Sequence, residues 1–252
     1  MDRREVLRRG LLFTGIAAAG PAAALNLDIG KSLDSAKSLA GAATLSDKDL
    51  NAYFTQMSNE SDKRNQVAPA DSSYAKRLAT LTAGLARHDG LNLNFKVYLK
   101  NEVNAFAMGN GTVRAYSGLM DLMSDDEIRY VIGHEIGHIK AGHSKKRMQV
   151  ALTASGLRSA AAATDSKVGV LAQSQLGDLF EKVVRAQHSQ GNENEADDYA
   201  FNFMKAKKYP PLAAVTALEK LDKLSGGSGG ASWLSTHPAP ADRATRLRGR
   251  LG

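Results

Sequence analysis

No cysteine occurs in the 252 residues, which excludes a disulfide and a lipid-attachment site. Aromatic residues make up 6% of the chain, with a single tryptophan. They form no basic-aromatic array of the kind single-strand nucleic-acid binders use. No stretch reaches the ~20 apolar residues a membrane-spanning helix needs. What is present is a hydrophobic content of 43%, enough for one substantial core. The formal charge of +7 suits an anionic envelope or acidic partners, although a solvated basic surface without a specific partner is the simpler account.

The N-terminus reads as an address. MDRREVLRRG is a charged opening, LLFTGIAAAG a short apolar run, and PAAALN a small-residue ending with Ala22 and Ala24 in A-x-A positions. That is the order of an export signal. Arg3-Arg4-Glu5-Val6-Leu7-Arg8 resembles the twin-arginine motif, but Val6 and Asp2 depart from it, so the Sec route stays open. A short buried N-terminal helix is the competing reading. The expectation is an export signal over 1–24, one domain over 25–252, and a soluble protein in the periplasm of a Gram-negative bacterium.

Further along, Ser46 caps a helix near 47–59, and a second helix covers 72–87 up to the turn His88-Asp89-Gly90. NFKVYL (94–99), NAFAM (104–108) and TVRAY (112–116) read as strands, the last two joined by Gly109-Asn110-Gly111 as a hairpin. Ser124 through Glu127 cap a long helix. Residues 151–173 are rich in Ala, Ser and Gly. Helices follow over 174–188, 193–207 and from Pro210-Pro211 to 224. GGSGG (226–230) is a flexible loop that hints at a cover over the cleft, and a short basic helix closes the chain. The fold class is α+β, mostly helical, with a small antiparallel sheet beside the long helix.

Three of the six histidines fall within VIGHEIGHIKAGH, 131–143. On a helix, positions i and i+4 stack on one face, so His134 and His138 can clasp one metal ion, with Glu135 beside them as a general base. Ile128, Val131, Ile132, Ile136 and Ile139 form a burying stripe. Gly133 and Gly137, four apart, leave room for a close neighbour and outweigh a propensity cost of ~1 kcal/mol each. The metzincin pattern would need Gly at Ala141 and His at Ser144, so it does not apply. His143, nine residues from His134, points to the opposite side of a continuous helix and reads as a structural, hydrogen-bonding residue. The third ligand must come from elsewhere. In GNENEADDYAFNFM (191–204), Glu193, Ala196, Asp197, Ala200 and Met204 share one helical face, whereas Glu195, Asp198 and Asn202 lie on the other. Glu193 is then the third ligand and Asp197 a carboxylate that orients a histidine or locks a basic residue. An acidic first turn serving the helix dipole is the alternative, and it suits Glu195 and Asp198.

HEIGH, NENEADDYA, NAFAMGNG and THPAPADR, in this order, resemble the gluzincin peptidases of metallopeptidase family forty-eight over about residues 45–250. The resemblance implies a zincin-like fold, one Zn²⁺ per chain on His134, His138 and Glu193, and Glu135 as the base. It also implies an edge strand over Asn104, Ala105, Phe106 and Ala107 to Met108 that binds extended polypeptide by strand addition. His237 would cover the zinc or steady the oxyanion, and Arg243 would pair with Asp197. The expected activity is a zinc endopeptidase acting on unfolded or misassembled envelope proteins, without nucleic acid and with at most peripheral membrane contact. The rival is a zinc-containing chaperone or scaffold for outer-membrane protein assembly with latent proteolysis. A purely structural zinc site lacks an evident fourth protein ligand.

Overall fold

The structure, a computed structural model, describes residues 46–154, 171–224 and 232–252. The expected export signal, the segment that follows it, most of the Ala/Ser/Gly-rich stretch and the GGSGG loop lie outside these residues. Helix α1 (Asp47–Arg64) starts where Ser46 accepts from Asp49 N and the Asp49 carboxylate accepts from Ser46 N, a capping box. It runs past the expected end at Asn59.

Helix α2 (Ser73–Leu81) stops well before Arg87. Gly84 takes φ +76°, so the helix cannot propagate past it. Arg87–His88 and Leu91–Asn92 pair instead as strands β1 and β2. Asp89 and Gly90 between them sit at φ 52° and 76°, the left-handed pair that a two-residue hairpin requires.

Strands β3 (Asn94–Tyr98), β4 (Ala105–Ala107) and β5 (Thr112–Tyr116) form a sheet in the order β3-β5-β4. The hairpin expected around Asn110-Gly111 is there, with β4 antiparallel to β5 in the register Phe106↔Arg114. The β3 pairing departs from expectation, because β3 runs parallel to β5, with Phe95 opposite Val113. Residues 99–104 carry the chain past the place of β5 before the hairpin folds back, so β5 inserts as the central strand and all five of its residues are buried. The sheet is therefore mixed, with β3 and β4 as its outer strands.

Successive residues of a strand face opposite sides, and each side has its own core. Val97, Ala105, Ala107 and Val113 pack with Ile128, Val131, Ile136, Ala200, Met204 and Leu218. These come from α4 (Asp125–Lys140), α7 (Gln190–Ala206) and α8 (Leu212–Asp222). Tyr98, Phe106 and Tyr116 pack with Phe54, Met57, Leu152 and Leu179 from α1, α5 (His143–Ala154) and α6 (Gln173–Val183). A short α3 (Ser117–Leu122) leads into α4, while α9 (Ser232–Thr236) and α10 (Pro240–Arg248) complete the chain. The isoleucine stripe of α4 is buried as its periodicity requires. Gly133 and Gly137 provide the expected close approach: a Cβ on Gly137 would lie 3.0 Å from the Ala196 Cα of α7. Among the described residues no helix is long and apolar enough to cross a membrane.

Candidate metal centre

Ser124 and Glu127 form the capping box that starts α4, and the helix carries His134 and His138 inward with Nε2 atoms 3.0 Å apart. Helix α7, capped by Ser189, brings Glu193 to them. Its Oε1 lies 3.3 Å from His138 Nε2 and its Oε2 3.6 Å from His134 Nε2. His237, just beyond α9, completes a group whose donor atoms all lie within 4.8 Å of one another. The face assignment made for α7 holds: Glu193 and Asp197 are fully buried, and Glu195 is exposed.

This group fits a metal ion. Glu193 Oε1, Glu135 Oε1 and His237 Nε2 are buried without any hydrogen-bond partner, and a buried orphan of this kind costs stability unless something else satisfies it. Four ligands around zinc at about 2.0–2.1 Å would be roughly 3.3–3.4 Å apart, close to the separations His134, His138 and Glu193 already show. The donor set, three imidazoles and a carboxylate, suits zinc as well.

The groups behind the donors fix their orientation. His134 Nδ1 donates to Asp197 Oδ1 at 2.9 Å, so its Nε2 lone pair faces the centre. Tyr130 donates to the same oxygen at 2.7 Å, and Arg243 reaches Asp197 through Nη2 at 2.7 Å and Nε at 2.8 Å. Arg243 Nη1 also forms an ion pair with Glu193. The Arg243–Asp197 pairing implied by the resemblance is therefore present, and Asp197 does both things expected of it. Burial alone would raise Asp197, but Arg243 and His134 outweigh it and hold the carboxyl far below its ordinary range. Glu193 and Glu135 show the opposite balance. Burial lifts each to about 7, with Arg243 opposing in both cases.

His237 is fixed over the donor set. Its ring stacks on Trp233 at 4.3 Å and 8°, its Nδ1 is 2.7 Å from Thr236 Oγ1, and its Nε2 is 3.5 Å from Glu135 Oε1. The Trp233 N–H donates to Val103 O at 3.2 Å, which fastens α9 to the start of the edge strand. On either side of β4, Asn104 O accepts from Tyr116 N–H and Met108 N–H donates to Thr112 O, so Ala105 and Ala107 turn their N–H and C=O outward. Ala107 O accepts from Ser144 Oγ at 3.4 Å. The strand is an edge in topology, yet Ala105, Phe106 and Ala107 are only 2–7% exposed.

Two histidines depart from the sequence reading. His143 does not point away. Helix α4 ends at Lys140, Gly142 takes φ +71°, and His143 opens α5 facing back, its Nδ1 2.8 Å from His138 Nδ1. The nine-residue count presumed a continuous helix. His188 went unrecognised at the end of the helix expected over 174–188; α6 ends at Val183, and His188 lies in the connection before α7. Its ring lies 3.8 Å from that of His138 and is bonded by the buried Arg147, and its N–H donates to Thr236 O at 2.8 Å. The scarcity of histidine was the available signal, since five of the six in the chain converge here.

The profile of Peptidase family M48 matches residues 72–251. Metalloprotease LoiP of Escherichia coli strain K12 is 45% identical over 227 residues, spanning 90% of each chain. Metalloprotease YcaL of the same organism is 40% identical over 226 residues, 89% of each. The beta-barrel assembly-enhancing protease of Yersinia pestis is 29% identical, over 97% of this chain and 52% of its own. Likeness of this extent, laid over a HExxH helix that meets a glutamate from a second helix, establishes that the chain belongs to Peptidase family M48 and is a metalloprotease.

Proposed function

We propose that the chain is a zinc endopeptidase with one ion per chain, held by His134, His138 and Glu193, which cleaves unfolded or misassembled envelope proteins in the periplasm. The observation that carries this is the buried donor set, in which Glu193 Oε1 and His237 Nε2 lack hydrogen-bond partners, with a second buried carboxylate, Glu135, at its side. When bound, zinc supplies a Lewis acid and a water acidic enough to lose its proton near neutral pH. Glu135 takes a proton from the water as the water oxygen bonds to the scissile carbonyl carbon, and returns it to the leaving amine as the C–N bond breaks. No side chain forms a covalent intermediate. Extended substrate adds along Ala105–Ala107, which requires the groups that bury this strand to move aside. The basic charge and the N-terminal export pattern support an envelope setting, as does the similarity to a beta-barrel assembly-enhancing protease.

One observation favours a second reading. With His237 Nε2 inside the donor group and the edge strand buried, the resting molecule is closed, which suits a zinc-containing chaperone or scaffold with latent proteolysis. Wild type, Glu135→Gln and His237→Ala, compared on one unfolded substrate, separate the two. The endopeptidase reading expects Glu135→Gln to keep its metal and lose cleavage by at least a hundredfold. Cleavage undiminished in Glu135→Gln refutes the mechanism. A gain in His237→Ala establishes latency.

A further inference from the structure

The two imidazoles of the HExxH pair are supported differently. His134 leans on a buried, charged carboxylate, Asp197, fixed in turn by Tyr130 and Arg243. His138 has no carboxylate behind it. Its Nδ1 meets the Nδ1 of another imidazole, that of His143, at 2.8 Å, and His143 Nε2 meets Glu195 Oε2 at 3.2 Å. His143 is 3% exposed, whereas the Glu195 side chain is 64% exposed.

We propose that His143 is a positioning residue for His138, kept in the required tautomer by Glu195. The inference rests on the metallopeptidase reading, because it begins from the lone pair of His138 Nε2 being committed to the metal. That commitment places the His138 proton on Nδ1, which donates to His143 Nδ1. His143 Nδ1 must then be the acceptor, so its own proton resides on Nε2 and is donated to Glu195. The direction of every bond in the chain follows from the first. Gly142 makes the geometry available, since its left-handed backbone ends α4 and aims the first residue of α5 back at the HExxH helix.

His138, His143 and His188 also lie close enough to suggest a second metal site of their own. Two facts oppose that. The buried Arg147 guanidinium donates to the His188 ring, so a divalent cation there would face a fixed positive charge. In addition, both nitrogens of His138 are already engaged.

The test uses the whole chain, with zinc affinity read by competition against a chromophoric chelator and the melting of the metal-stripped protein read in parallel. His143→Leu keeps bulk without an acceptor, and His143→Gln restores an acceptor oxygen. Glu195→Ala leaves His143 in place but frees its tautomer. Wild type is expected to bind one zinc per chain. His143→Leu should bind about 10–100-fold more weakly, His143→Gln should recover most of that loss, and Glu195→Ala, a surface change, should weaken binding several-fold with unchanged melting. The inference fails if Glu195→Ala and His143→Leu bind zinc as wild type does, if His143→Gln is as weak as His143→Leu, or if wild type binds two zinc ions. A wild type that takes up no zinc overturns the metallopeptidase reading, and this inference with it.

Discussion

Replacing Gly137 by alanine sets two effects of similar size against each other. Alanine favours a helix interior over glycine by about 1 kcal/mol, so propensity alone predicts a more stable protein. The added Cβ, however, would sit 3.0 Å from both the Cα and the O of Ala196 and 3.1 Å from Tyr199 Cβ. The first two are backbone atoms and cannot swing aside. Relief requires α7 to back off by a few tenths of an ångström, and overpacking of this kind costs about 1–3 kcal/mol. The net expectation is a loss of up to about 2 kcal/mol, or a melting point lower by roughly 2–4 °C per kcal/mol for a chain of this size. The displaced stretch lies between Glu193 and Asp197, so zinc affinity should fall as well. At Gly133 the closest atom is the Phe203 ring edge at 2.9 Å, with Ala200 Cα at 3.4 Å. A ring can shift, so Gly133→Ala should lose less on both counts. Calorimetry of the metal-stripped variants and chelator competition measure the two effects. A Gly137→Ala protein that melts above wild type with undiminished zinc affinity would refute the claim that the α4–α7 contact sets the centre.

Three further outcomes follow from particular contacts. Arg243→Met leaves Glu193 and Asp197 buried without their guanidinium. It should cost about 3–5 kcal/mol in chemical denaturation of the metal-free protein, and less with zinc present, because the ion then neutralises Glu193; a loss below ~1 kcal/mol contradicts this. Asp62 is raised by burial but held at about 2 by Arg114, Lys96 and Tyr98. Its folded value lies below the ordinary 3.8, so its contribution of about 2 kcal/mol is complete above that value and drains away as pH falls toward 2. Asp62→Asn should remove that part of the acid slope in denaturation curves, and an unchanged slope would assign it to other carboxyls. Gly142→Ala meets no atom within 4 Å but must adopt φ +71°. A cost of about 1–2 kcal/mol is expected, together with weaker zinc binding; a stability at or above that of wild type would show that His143 does not depend on this turn.

Helix α4 was legible in the sequence, because its cap and apolar spacing depend on residues a few positions apart; spacing alone gave most of α7, whose start at Gln190 and cap at Ser189 were not read. The same local logic placed Glu193 and Asp197 on one face and Glu195 on the other before any fold was known. Pairing across distance was not legible. Nothing within NFKVY tells it to run parallel to TVRAY, since that choice is made by the connection through 99–104 and by β5 taking the central position. The end of α2 was missed for a related reason: the residues after Leu81 gain more from the β1–β2 turn than from another helical turn, and helix periodicity cannot register that competitor. His143 shows the limit most clearly. Periodicity assigns a direction only while the helix continues, and one left-handed glycine turned a residue counted as facing away into the neighbour of a donor histidine. Spacing rules therefore identify which side chains share a face, but where a face leads after a turn is decided by φ at a single position. The support behind His134, Asp197, shares a helical face with Glu193 and could be read from that spacing, whereas the support behind His138 depended on the direction the chain takes after such a turn and could not.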